Sequence, residues 1–118
     1  MNIDPQVGLL IAAFICMVLD IITGLIKGAS TNSLDSQKMR EGLWHKAGFI
    51  GLIALSYVLQ VAETFADLGV ELPAVTAVCV FVILTEAVSI CENLCEVNPV
   101  IKDSPIGKLF GHGGSNGE

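Results

Sequence analysis

Basic residues are scarce in this chain, and two of its four non-hydrophobic stretches have none at all. Lysine and arginine together number 6, against 12 aspartates and glutamates. Lys27, Lys38, Arg40 and Lys46 lie between the first and second apolar runs, and Lys102 and Lys108 follow the third. The stretch before the first run carries only Asp4, and the one between the second and third carries Glu63, Asp67 and Glu71. No basic stripe interleaved with aromatics exists, so a nucleic-acid partner is not indicated. Charge is low overall, at 15% of 118 residues, while 53% are apolar and the mean hydropathy is +0.70. That balance argues against an ordinary soluble domain.

Catalytic patterns are also missing. The chain has no Ser-His-Asp set, no Gly-rich phosphate loop followed by Lys, no HExxH and no paired CxxC. Ser104 and His112 sit in a tail that offers no rigid scaffold. Neither an enzyme nor a cofactor is expected. Cys16, Cys79, Cys91 and Cys95 fall inside or at the edge of the apolar runs. Cys91 and Cys95 have a one-turn spacing, but His45 and His112 are distant, so packing thiols are favoured over a metal site. Met1–Gln6 contains no basic residue, so no cleavable signal is indicated and the first run should persist in the mature chain.

What is present is three apolar runs. Spans are expected at about 7–26, 47–66 and 74–95, each near the ~20 helical residues that cross a hydrocarbon core. Basic flanks stay cytoplasmic. Their alternation with non-basic flanks predicts an all-α membrane protein of three transmembrane helices, N-terminus out and C-terminus in. Residues 1–98 would form the membrane domain and 99–118 a flexible cytoplasmic tail, ending in the Gly-rich stretch after Gly111. The loop with Lys27, Lys38, Arg40 and Lys46 should lie against anionic headgroups, with Trp44 as an interface anchor beside Lys46.

Each span carries small and polar residues in register. Gly24 and Gly28 form a GxxxG, and Ala47, Gly48, Gly51 and Ala54 give the second span a small-residue face. Such faces let helices approach closely in lipid, within one chain or between copies in an oligomer. Asp20, Thr23 and Lys27 share one helix face, as do Ser56, Gln60, Glu63 and Asp67, and again Glu86, Ser89 and Asn93. An acidic group at a span centre costs about 3 kcal/mol to insert, so it must avoid lipid. Asp20 and Glu86 differ in depth by about one turn and are expected to share a hydrogen-bonded cluster with Thr23, Ser89 and Asn93. That cluster is either a packing clamp or a surface turned to water in an assembled state.

The motifs Asp20-Ile-Ile-Thr23-Gly24, then Ser36, Arg40-Glu-Gly42 and Lys46, then Glu86-Ala-Val-Ser89-Ile-Cys-Glu92-Asn93 resemble the phage holins of the toxin-secretion and phage-lysis type, Gram-positive phage holin family 4. The resemblance covers about residues 10 to 100. It implies a small multi-pass protein of the bacterial host cell membrane that oligomerises into lesions. These lesions release an endolysin or toxin, or collapse the membrane potential, for host cell lysis. The link to an endolysin or secreted toxin would require no direct contact. Two departures stand out. The tail lacks a dense Lys and Arg cluster, and the next methionine after Met1 is Met17, so a dual-start inhibitor form is not indicated. The alternatives are a small oligomeric ion channel or transporter subunit using Asp20 and Glu86, and an antiholin-type membrane adaptor. Size of leak separates the first from a lesion, and absence of toxicity separates the second.

Overall fold

Three long helices follow from three apolar runs, the first two of them capped by an aspartate. The computed structural model describes residues 2–67 and 69–110. Helix α1 spans Pro5–Ser30, α2 Ser36–Ala66 and α3 Ala74–Val97, followed by the short α4 (Pro99–Asp103) and α5 (Pro105–Phe110). Asp4 caps α1 by accepting from the backbone N–H of Gln6 at 3.1 Å and Val7 at 3.3 Å, and Pro5 occupies the first turn. The Asp35 carboxylate caps α2 through the Gln37 N–H at 2.9 Å. Asn32 (φ 53°) and Asp67 (φ 50°) take the left-handed conformation where the chain leaves α1 and α2.

All three long helices are long and apolar enough to cross a membrane. At 1.5 Å per residue they run roughly 36–46 Å, longer than a ~30 Å hydrocarbon core, so their ends reach the interfacial layers. α2 begins at Ser36, well before the expected span start near 47. The polar segment Ser36–His45 is helical because Asp35 caps it, and only its continuation is apolar enough to register as a span.

α1 and α3 pack most closely, and α2 lies along α3 more lightly. Ala13, Met17, Ile53 and Val82 form the core, flanked by Leu10, Phe49, Tyr57, Val78 and Ile83. Phe49 and Phe81 meet edge to face with ring centroids 6.0 Å apart. Apart from Met17 and Ile53 the buried set is small or polar, including Ala13, Val75, Cys79, Val82, Thr23, Ser56, Glu86 and Asn93. Large apolar side chains point outward instead, including Ile11, Phe14, Ile15, Val18, Ile22, Leu55, Val58, Leu59, Phe81 and Leu84. Water would oppose that arrangement, whereas lipid tails solvate the outer face and leave close packing to hold the interior.

The flexible tail expected from 99 onward is in part folded. Asn98 caps α4 by accepting from the Val100 N–H at 2.9 Å, and both short helices return against α3. Ser104 turns the chain between them, its hydroxyl donating to the Ile101 carbonyl at 2.6 Å and accepting from the Gly107 N–H at 3.2 Å. A β-carbon at Gly107 would collide with the Ile101 and Lys102 carbonyls, so the fold-back requires glycine there. Pro99 and Pro105, six residues apart, hid these two short helices. The Gly-rich end, 111–118, lies outside the described residues.

Candidate functional site

The polar faces of α1 and α3 meet a lysine of α2 in a buried ionic group. α1 contributes Asp20 and, one turn on, Thr23; α3 contributes Glu86 and, two turns on, Asn93; α2 contributes Lys46. The Lys46 ammonium lies 2.6 Å from Asp20 Oδ2 and 3.1 Å from Glu86 Oε2. Lys46 is 7% exposed and Glu86 4%, so neither reaches bulk solvent. The other Asp20 oxygen, Oδ1, accepts from the Asn93 amide at 3.2 Å, and the same amide donates to the Thr23 hydroxyl at 3.0 Å. Thr23 passes its own proton back to the Leu19 carbonyl at 2.8 Å. Gly24 faces this amide, and a β-carbon there would stand 3.7 Å from it, an ordinary contact.

The two carboxylates are not equally served. Asp20 has a partner on each oxygen. Glu86 Oε2 is within ion-pair distance of Lys46 but has no hydrogen bond of acceptable geometry. With all three groups ionised, the cluster holds one positive and two negative charges. It becomes neutral on taking one proton, or on gaining a second cation. A buried charge left over in this way is costly.

Asp20, Thr23 and Asn93 are directly hydrogen-bonded, and Glu86 joins them through Lys46. Ser89 stands at the edge, lining a cavity that opens onto Asp20 and Lys46. Lys46 is the residue that sequence reasoning misplaced. Its neighbours Trp44 and His45 are exposed, and it read as part of the cytoplasmic basic loop. Lys38 and Arg40 are indeed exposed and Lys27 half-buried, but Lys46 turns inward. A signal was there: the spacing Lys46, Phe49, Ile53, Ser56, Gln60, Glu63 extends the α2 polar seam backward on one face.

Gln60 and Glu63 belong to a second polar group at the opposite end of the bundle. The Gln60 amide donates to the Gln6 side-chain oxygen at 3.1 Å, and its own oxygen accepts from the Val75 N–H at 2.9 Å. Gln6 donates onward to the Tyr57 hydroxyl at 3.3 Å, and Glu63 accepts from the Leu72 N–H. These bonds fasten the start of α1 and the α2–α3 connection to α2. Ser56 is buried but bonds its own helix, donating to the Ile53 carbonyl at 2.6 Å. Asp67, expected to extend the same seam, is exposed at the C-cap of α2.

The glycines also divide. Gly24 lies in the α1–α3 contact, but Gly28 packs against Leu34 of the following turn, whose side chain would stand 2.8 Å from a β-carbon there. Gly48 and Gly51 face open space, with no helix of the same chain against them. The GxxxG spacing thus serves one helix contact and one loop contact. Among the described residues no cluster of His, Cys, Asp and Glu could hold a metal ion, and the four cysteines are unpaired.

No curated protein and no solved structure matches this chain. The bacteriophage holin family matches residues 5–103, which takes in α1, α2, α3 and α4. With three membrane-length helices, an apolar outer surface and a match over most of its length, the chain belongs to the bacteriophage holin family and is a multi-pass protein of the cell membrane.

Proposed function

We propose that this protein accumulates in the bacterial cell membrane and oligomerises into lesions that permeabilise it, releasing an endolysin or toxin or collapsing the membrane potential. The observation that carries this reading is the Asp20–Lys46–Glu86 cluster, held between three helices whose outer faces are apolar. A single copy must hide those charges from lipid. An assembly that parts α2 from α1 and α3 can turn them toward water instead. The open α2 face of Ala47, Gly48, Gly51 and Ala54 gives a second copy a place to approach closely.

The test is induced expression in a bacterium, with viability, membrane potential, release of a cytoplasmic enzyme and crosslinked species followed together. Loss of viability with enzyme release and a crosslinking ladder is expected. Ion leakage without enzyme release would instead mark a small channel. Unchanged viability and potential at confirmed membrane levels would remove both readings and leave an adaptor.

The orientation belongs to the same proposal, with N-terminus out and C-terminus in. It rests on Lys27, Lys38, Arg40, Lys102 and Lys108 flanking one set of helix ends and Asp4, Glu63, Asp67 and Glu71 the other. With the four native cysteines replaced, Asn2→Cys should react with an impermeant thiol reagent added to intact cells, and Asp103→Cys should not. Labelling of Asp103→Cys from outside would reverse the topology.

A further inference from the structure

We propose that the cavity between α1 and the start of α2 seats the phosphate headgroup of an anionic phospholipid. The cavity has a volume of about 280 Å³ and is bounded by α1, the α1–α2 turn and α2, with Asn93 and Ser89 of α3 at its inner end. Glycines make the room. Gly24, Gly28 and Gly42 all line it, and a β-carbon on Gly42 would meet nothing within 4 Å.

Its charges sort into committed and free. Lys46 is engaged by both Asp20 and Glu86, the latter outside the lining, and the Asp35 carboxylate accepts from the Gln37 N–H as the α2 cap, so the lining itself sets three lysines against two carboxylates. Lys27 and Lys38 also line the cavity, and neither makes a salt bridge among the described residues. Two uncommitted ammonium groups beside one cavity suit a phosphate anion. The walls select the lipid form of that anion over free phosphate. Ile21, Leu25, Leu34 and Met39 offer an apolar surface for an acyl chain, and Leu25 and Met39 are themselves exposed toward the surroundings of the bundle.

The site differs from diffuse attraction between a basic loop and a charged membrane surface. Arg40 shares the first turns of α2 but does not line the cavity. The inference requires only that the chain spans a membrane, and holds whether or not lesions form.

The experiment reconstitutes the full chain in phosphatidylcholine bilayers and measures retention of spin-labelled phosphatidylglycerol against spin-labelled phosphatidylcholine. The wild type should prefer phosphatidylglycerol. Lys27→Gln and Lys38→Gln should each weaken that preference by about fivefold, the factor equivalent to about 1 kcal/mol per basic residue. Arg40→Gln should leave it near the wild-type value. Gly42→Leu keeps both lysines but fills the cavity, and should also lower the preference, with Gly42→Ala giving a smaller loss.

Equal loss from Arg40→Gln and the two lysine variants would overturn the site in favour of diffuse attraction. So would undiminished preference in a Gly42→Leu protein of normal helicity. If Gly42→Leu fails to fold, the comparison of the lysine variants with Arg40→Gln still decides. Displacement of the lipid by millimolar inorganic phosphate would show that the cavity takes the free ion and overturn the lipid assignment.

Discussion

Lys46→Met is expected to destabilise the folded helix bundle by about 3–5 kcal/mol, the range for removing one partner of a buried ion pair. The substitution is close to isosteric along the side-chain stem, so the loss comes from charge rather than volume. It leaves the Asp20 and Glu86 carboxylates facing each other without the ammonium that lies 2.6 and 3.1 Å from them. Lys46→Arg, which keeps a cation, should be milder. Adding Asp20→Asn and Glu86→Gln to Lys46→Met should recover much of the stability, because no uncompensated charge then remains. Unfolding in mixed micelles by increasing the denaturing detergent, followed by helicity, gives the measurement. A loss within about 1 kcal/mol, typical of solvent-exposed pairs, would mean that the cluster is wet and weakly coupled.

The second large effect is on the timing of lysis, and it rests on the proposed function. At matched membrane levels, Glu86→Gln should delay the onset and Glu86→Leu should delay it further or abolish it. Glu86 Oε2, like Glu63 Oε2 at the other end of the bundle, is buried without a hydrogen bond. Glutamine keeps its shape but cannot ionise, which leaves Lys46 and Asp20 as a balanced pair and lowers the cost of staying sealed. An unmet buried polar group costs about 1–3 kcal/mol and more when it is charged, so removing the charge is enough to shift an assembly equilibrium about tenfold or more. Leucine removes the polar group altogether and makes that stretch of α3 compatible with lipid. Lysis onset by culture turbidity, with membrane protein quantified in parallel, checks this. A glutamine variant that lyses on the wild-type schedule would leave Glu86 as a packing residue and remove its ionisation from the mechanism.

The depth of the two carboxylates in this cluster was legible in the sequence, but the lysine between them was not. Asp20 and Glu86 sit within apolar runs, so insertion cost alone says that they avoid lipid. Periodicity then assigns Thr23 and Asn93 to the same faces. Lys46 was hidden by its neighbours. A lysine at the end of an apolar run has two ways to escape lipid, outward to headgroups or inward to a carboxylate, and local sequence does not choose between them. The choice follows from α2 extending back to Ser36, which puts Lys46 well inside a helix rather than at its end. The same ambiguity covers glycine. The Gly24–Gly28 spacing marks a place of close approach, but not whether a helix, as at Gly24, or a loop side chain, as at Gly28, fills it.

The sequence by itself determined the three helices, their membrane character and the family, because run length, hydropathy and residue order are properties of the chain taken in line. It also determined which faces are polar, since helical periodicity is local. Only the tertiary structure decided how those faces are rotated against one another. It drew Lys46 between Asp20 and Glu86, sent Gln60 and Glu63 to a separate network at the far end, left Gly48 and Gly51 facing outward, and folded α4 and α5 back on α3. The reason is physical: a periodic pattern fixes a side chain's direction from its own axis, whereas its partner depends on the relative depth and rotation of helices far apart in sequence, which only their mutual packing sets.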